Sequence, residues 1–136
     1  MKVAVLGGGN GSFAAAGDFA LQDHEVRLWR RDAGRVAEHR AAGSRILVKD
    51  VHGGHDAKLA LVTADIAKAV REAELILCPA PAFAQADIAK LLAPHLRDGQ
   101  VVFLPPATFG SVIFAKAAHD AGNHADVSFA ETGTLP

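Results

Sequence analysis

Six residues near the N-terminus, Gly7 to Ser12, have the types and spacing needed to bind a pyrophosphate. They read Gly-Gly-Gly-Asn-Gly-Ser, after an apolar strand and before a helical pattern. Gly7 permits the tight turn, Gly9 leaves room for the anion, and the free N–H groups and dipole of the helix attract it. The third glycine of the usual Gly-x-Gly-x-x-Gly spacing falls at Ser12, whose hydroxyl is a further donor to phosphate. The predicted contacts here are Gly7, Gly9, Asn10, Gly11, Ser12 and Phe13.

A second candidate position is the end of the second predicted strand, which reads Trp-Arg-Arg-Asp at residues 29–32. A carboxylate at this point usually binds the adenosine ribose of NAD. Arg30 and Arg31 instead offer planar cationic donors suited to a 2′-phosphate. The sequence therefore favours NADP over NAD as the cofactor. Asp32 could still bind a ribose hydroxyl, which leaves NAD open. Alternatively, these residues form a solvated basic turn that binds no cofactor.

A third candidate position follows the fourth predicted strand, where Cys78 is followed by Pro79 and Ala80. Ligands of such sheets lie at the carboxyl ends of the strands, where the strand order reverses. Pro79 and Ala80 are therefore predicted to support the nicotinamide half of the cofactor. Residues 104–107, Leu-Pro-Pro-Ala, repeat this turn one strand later, and Phe83 either covers an apolar face of the cleft or belongs to the core.

Other reactive residue types are weaker candidates. His52 and His55 lie in a glycine-rich stretch without a completing cysteine or carboxylate, so no metal site is predicted. Cys78 could be a nucleophile, but a free cysteine ending a buried strand usually packs as a small apolar residue. Glu131 and Thr132 either contact a ligand or begin a connection between domains.

Short, continuous apolar runs alternate with helical patterns, which predicts parallel strands covered by helices on both faces. In the first helix, residues 13, 16, 17, 20 and 21 form one stripe of mostly small or apolar residues. We predict an α/β, Rossmann-type, doubly wound and mostly parallel six-stranded sheet of order 3-2-1-4-5-6. The predicted strands are Val3–Leu6, Glu25–Trp29, Leu59–Thr63, Leu75–Cys78, Val101–Leu104 and Val127–Ala130, and later helices are predicted at Asp65–Arg71, Ala84–Leu96 and Gly110–Ala121.

An extra hairpin is predicted near residues 45–62, with strands Arg45–Lys49 and Lys58–Val62 on either side of a polar tip, Asp50–Asp56. No linker is apparent, so residues 1–136 are predicted to form one dinucleotide-binding domain.

Composition excludes several other classes of protein. The net charge of −1 gives no basic surface for nucleic acid, and no stretch is apolar enough to span a membrane. A single cysteine and the absence of a signal-peptide pattern predict a cytoplasmic protein.

Several motifs together resemble the N-terminal NAD(P)-binding domain of the octopine, nopaline and opine dehydrogenases. The resemblance covers the whole chain and depends on five segments: Gly-Gly-Gly-Asn-Gly at 7–11, Leu-Trp at 28–29, Pro-Ala at 79–80, Leu-Pro-Pro-Ala at 104–107 and Glu-Thr-Gly-Thr-Leu-Pro at 131–136. The glycine motif alone is shared with 2-dehydropantoate reductases and glycerol-3-phosphate dehydrogenases. The Asn10–Gly11 pair and the terminal Glu-Thr segment give the resemblance its specificity.

The resemblance implies an oxidoreductase acting on CH–NH groups, in which a nicotinamide hydride reduces the imine of an amino acid and a 2-keto acid. In this family the catalytic histidine and its acidic partner belong to a second, C-terminal domain. We therefore expect this chain to bind the cofactor without turnover, and a homodimer is left open. The alternatives are a stand-alone NAD(P)-sensing module and the cofactor domain of a 2-dehydropantoate reductase or glycerol-3-phosphate dehydrogenase. A methyltransferase is disfavoured, because Arg30 has the wrong charge for the adenosine hydroxyls.

Overall fold

The computed structural model describes residues 1–51 and 53–133. These residues contain eight strands and five α-helices. None of these helices is long and apolar enough to cross a membrane. The elements are β1 Lys2–Leu6, α1 Asn10–Leu21, β2 Glu25–Trp29, α2 Ala33–Ala41, β3 Arg45–Asp50, β4 Gly53–Lys58, β5 Leu61–Thr63, α3 Ile66–Val70, β6 Leu75–Leu77, α4 Ala82–Leu92, a 3-10 turn Ala93–His95, β7 Val101–Leu104, α5 Gly110–Asp120 and β8 Ser128–Glu131.

Six of the strands form one sheet in the order β5-β2-β1-β6-β7-β8. Every neighbouring pair in this sheet is parallel, with Leu6 beside Trp29 and Val5 beside Leu77. Strands β3 and β4 form a separate hairpin. When the six strands of the main sheet are numbered by themselves along the chain, their order is 3-2-1-4-5-6, so the predicted order is confirmed. The chain order reverses between β1 and β6, and the carboxyl ends of all six strands share one edge. This reversal point is where sheets of this type bind ligands.

The two faces of the sheet have separate cores, because successive side chains of a strand point to opposite faces. On β1, Ala4 and Leu6 join one core, which is completed by residues of α3, α4 and α5. Val3 and Val5 join the other core, which contains residues of α1, α2 and the hairpin. Each face of β1 is therefore covered, and its residues after Lys2 are completely buried.

The structure corrects the predictions in the region between β2 and β5. Helix α2 was not predicted; its N-cap is Asp32, whose side chain accepts a hydrogen bond from Arg35 N. The hairpin exists, but its second strand is Gly53–Lys58, most of which was predicted to be the tip, and its last described pair is Asp50 with Gly53. Lys58–Val62 is therefore wrong as a hairpin strand, and Leu61–Thr63 alone forms β5 of the main sheet.

Helix α1 packs closely on the hairpin at Gly17, a buried residue in the middle of the helix. A Cβ atom there would lie 2.5 Å from Val48 Cγ2 and 3.4 Å from Ile46 Cγ2. This small-residue contact fixes α1 between the hairpin and the sheet, and thus fixes the direction in which its N-terminus points.

Replacing a glycine inside a helix usually raises stability, but we expect Gly17→Leu to lower the free energy of unfolding by about 1–3 kcal/mol, because the new side chain overpacks the contact with Val48. Chemical denaturation would measure the change, with Ala37→Leu on the exposed face of α2 as the control. An unchanged or higher stability of Gly17→Leu would contradict this packing.

Candidate cofactor-binding site

In the glycine turn between β1 and α1, Gly7 and Gly9 lack a side chain for different reasons. Gly7 has φ +137°, its N–H donates to Trp29 O at 2.9 Å, and a Cβ atom on it would lie 2.5 Å from Ser12 Oγ. Gly9 has an ordinary extended backbone, and a Cβ atom there would meet no described atom within 4 Å. Gly7 is therefore needed for the shape of the turn, whereas Gly9 leaves open the space above it.

The N-terminus of α1 faces this open space. No side chain among residues 1–51 and 53–133 caps this end of the helix, and Asn10 is exposed. Uncapped N–H groups and the positive end of the helix dipole suit a bound anion. Ser12 is only 2% exposed and lies beneath Gly7, so its side chain fills the turn from below.

Arg30 extends from the end of β2 across the glycine turn. Its guanidinium carbon lies 5.1 Å from the centre of the Phe13 ring, and a Cβ atom on Gly8 would lie 3.0 Å from Arg30 Nε. Its backbone N–H donates to Thr63 O at 2.9 Å, which fixes the end of β2 to β5. The absence of a side chain at Gly8 thus allows a cation to lie beside the turn, supported on an aromatic ring.

Arg31 points towards the opposite wall of the cleft. Its Nη1 lies 3.8 Å from Asp87 Oδ2 on α4, and both side chains are more than half exposed. An exposed pair at this distance is weak, so Arg31 is readily available to another anion. Asp32, considered above as a ribose ligand, is the N-cap of α2, and the hydrogen bond from Arg35 N lowers the pKa of its carboxyl.

The turn after β6 forms the other side of the cleft. Pro79 approaches Gly11, with 3.5 Å between its Cβ atom and the position of a Cβ atom on that glycine. Pro79 and Ala80 line a hollow of about 180 Å³ together with the glycine turn and Arg31. Pro79 also lines an apolar groove of about 470 Å³ between α1 and β7, and Ala80 lines a third hollow that reaches Pro106. Three hollows therefore meet at this turn.

The structure brings the predicted residues of the turn, of the arginine pair and of the Pro79–Ala80 segment around one cleft. Gln85 and Asp87 of α4 are absent from the predicted site, although both contact its walls. The sequence did contain a sign that Gln85 is buried, because it lies on the same face of the helix as the apolar residues Ile88, Ala89 and Leu92. A polar residue on such a face is buried with its hydrogen bonds satisfied.

The weaker candidates have other surroundings. Cys78 is buried, and this burial raises the pKa of its thiol to about 12, which favours packing over a role as a thiolate nucleophile. Phe83 is 88% exposed, so of its two predicted alternatives the position in the core is wrong. His55 lies on β4 with its Nε2 3.3 Å from Asp50 Oδ1, and His52 lies outside the described residues.

Glu131, at the end of β8, binds the start of α5. Its Oε1 accepts from Phe109 N at 2.9 Å, and its Oε2 accepts from Ser111 N at 2.7 Å. The backbone hydrogen bond from Ser111 is the main cause that lowers the pKa of this carboxyl. Glu131 therefore acts as an N-cap supplied by a distant strand and connects β8 to the helix that follows β7.

These features define the class: a Rossmann-type domain with a glycine-rich turn at the point where the strand order reverses. The chain belongs to the family of NAD-dependent glycerol-3-phosphate dehydrogenase N-terminal domains, whose family model matches residues 2–104. It is thus an NAD(P)-binding domain.

Individual relatives confirm the resemblance to opine dehydrogenases. The chain is 36% identical over 133 residues to opine dehydrogenase of Arthrobacter sp. (strain 1C), covering 97% of this chain and 36% of the relative. It is 34% identical over 100 residues to the glycerol-3-phosphate dehydrogenase [NAD(P)+] of Saccharophagus degradans, covering 74% of this chain and 27% of the relative. A structure of octopine dehydrogenase with NADH and L-arginine matches all of this chain and 36% of its own, with TM-score 0.83 and 26% identity. The chain thus spans about a third of the length of these relatives.

Removing the charge of Glu131 tests its capping role. We expect Glu131→Gln to lower the melting temperature at neutral pH, because an ionised carboxylate accepts the helix N–H groups more strongly than an amide does. Because the folded-state pKa is lowered, the stabilisation is complete above the ordinary value of 4.5 and is lost as the pH falls through the folded-state pKa. The difference between the two proteins should therefore shrink below about pH 4.5.

Thermal melts from neutral to acidic pH would measure this difference. Glu38→Gln is the control, since Glu38 pairs with Arg35 on the exposed surface of α2. A difference that is independent of pH would contradict the capping role.

Proposed function

We propose that this chain is the cofactor-binding part of an NAD(P)-dependent dehydrogenase that reduces the imine of an amino acid and a 2-keto acid. The observation that carries the cofactor site is the open space above Gly9, which faces the uncapped N-terminus of α1. The chemistry of this donor set fits a pyrophosphate: backbone N–H groups, a helix dipole and nearby arginines.

The proposed contacts divide the cofactor among three walls of the cleft. The backbone of Gly9, Asn10, Gly11 and Ser12 binds the pyrophosphate, and Gly7 gives the turn its shape. Arg30, supported by Phe13, and Arg31 bind the adenosine half. Pro79 and Ala80 support the nicotinamide half, which supplies a hydride when the cofactor is bound.

The proposed preference for NADP(H) over NAD(H) rests on the two arginines at the end of β2. Both are cationic, and Arg31 has only a weak, exposed partner in Asp87. Asp32, the carboxylate that follows them, is already used as the N-cap of α2. A 2′-phosphate would therefore find two donors and little competition from a neighbouring acid.

The proposed substrates come from the opine dehydrogenase relatives. Structures of octopine dehydrogenase contain NADH with L-arginine or with pyruvate, an amino acid and a 2-keto acid. We propose that the groups for substrate binding and proton transfer belong to a second domain of a longer cytoplasmic protein, so that residues 1–136 bind cofactor without turnover. Reduction of a keto group, as in the glycerol-3-phosphate dehydrogenase relatives, is the second candidate, favoured by the family match over residues 2–104.

Filling the space above Gly9 tests the pyrophosphate site. Because its backbone is extended and the space is open, Gly9→Ala and Gly9→Val should fold normally. We expect affinity for NADPH to fall in the order glycine, alanine, valine, with a loss of more than about tenfold, equivalent to about 1.4 kcal/mol, for valine. Calorimetric titration would measure affinity, and thermal melts would confirm folding. Wild-type affinity in a folded Gly9→Val protein would place the nucleotide elsewhere.

Removing the cation beside the turn tests the cofactor preference. We expect the unmodified chain to bind NADPH more tightly than NADH, and Arg30→Ala to weaken NADPH binding by about tenfold to a hundredfold, because charge-assisted hydrogen bonds contribute about 1.5–3 kcal/mol. NADH affinity should change much less. Arg71→Ala is the control, since Arg71 is an exposed arginine beside the starts of β2 and β5, at the opposite edge of the sheet from the cleft. Equal affinities of the unmodified chain for the two cofactors would overturn the preference for NADP(H).

A further inference from the structure

Gln85, in the first turns of α4, links the two proline-containing turns of the cleft. It is only 2% exposed, and its side-chain Nε2 donates to Ala80 O at 3.1 Å and to Pro106 O at 3.4 Å. Ala80 follows β6 and Pro106 follows β7, so a single amide group contacts the turns of two neighbouring strands.

The surroundings of Gln85 leave little freedom for its side chain. A Cβ atom on Gly110, the first residue of α5, would lie 2.5 Å from Gln85 Oε1. The amide is thus enclosed by both turns and by the start of the next helix. An amide carries two N–H donors, so this side chain can bind two carbonyl groups at once. An apolar replacement would remove a buried donor from both carbonyls.

Both linked turns line a hollow that opens at the carboxyl edge of the sheet. This hollow is lined by residues of both turns, among them Ala80, Pro81, Pro106 and Ala107, together with Gln85 itself. It meets the hollow beside the glycine turn at Ala80 and Pro81. The distance between the two turns therefore sets the shape of the cleft on the side away from Arg30.

We propose that Gln85 is a positioning residue for the nicotinamide half of the cofactor. It holds the turn at Pro79–Ala80 and the turn at Pro106–Ala107 at a fixed separation, and so shapes the wall on which the nicotinamide ribose and ring lie. This inference rests on the proposed function, in particular on the assignment of Pro79 and Ala80 to that half of the cofactor.

Gln100 offers a matched control within the same chain. It is 5% exposed, and its Nε2 donates to Val70 O at 2.9 Å and to Ala73 O at 2.8 Å. It immediately precedes β7 and therefore lies at the amino edge of the sheet, opposite the cleft. Gln85 and Gln100 thus each donate from a buried amide to two carbonyl groups, and Gln100 also accepts from Arg97 N at 2.9 Å, but only Gln85 borders the site.

The experiment compares Gln85→Met and Gln100→Met with two probes: NADPH, and 2′-phosphoadenosine 5′-diphosphate, a fragment that lacks both the nicotinamide ring and its ribose. Both variants should melt at a lower temperature, because each removes a donor from two carbonyl groups. We expect Gln85→Met to weaken NADPH binding by about tenfold, equivalent to about 1.4 kcal/mol, and to leave the affinity for the fragment nearly unchanged. Gln100→Met should leave both affinities nearly unchanged.

A measurement on the unmodified chain keeps the inference testable if Gln85→Met does not fold. The NMR signals of the Gln85 side-chain amide should shift when NADPH binds and should shift much less with the fragment. Unchanged NADPH affinity in Gln85→Met, an equal loss for both probes, or equal NMR shifts with both probes would overturn the positioning role. An unmodified chain that binds neither probe would instead overturn the proposed function.

Discussion

The rest of the structure depends on one constraint: the turn between β1 and α1 must begin with a residue that has no side chain. Gly7 turns the chain in a conformation that other residues rarely adopt, and Ser12 fills the space beneath it. The helix can then begin directly above the sheet, with its N–H groups uncapped by any described side chain. The small contact at Gly17 holds the same helix against the hairpin and so fixes its direction.

The charges around the cleft are arranged by the local structure as much as by the sequence. Arg30 and Arg31 are neighbours in the chain, yet one lies on an aromatic ring beside the turn and the other reaches the opposite wall. Asp32 follows them but is directed into the first turn of α2. The end of β2 therefore presents a cationic surface to the cleft, although the acidic residue Asp32 follows the two arginines directly.

Much of the architecture could be predicted because buried parallel strands are short apolar runs and the turn at Gly7 has a specific context. Helix α2 was not predicted because Val36 is its single buried residue, so its sequence has no apolar stripe with helical spacing. Strand Gly53–Lys58 is poor in strand-forming residues and forms through pairing with β3 and burial of Ala57. The role of Gln85 depends on two carbonyls from different turns, which periodicity along one helix cannot reveal.

The central position of β1 has a consequence for how the chain can fold. This strand precedes the other five strands of the sheet in the chain, and its two neighbours, β2 and β6, come from very different places in the sequence. Pairing with β2 closes a short loop, whereas pairing with β6 must wait until Leu75–Leu77 is available and a much longer loop closes. Until then Ala4 and Leu6 lack most of the core that covers them. The half of the sheet built on β2 can thus assemble during translation, and the second half completes the fold later.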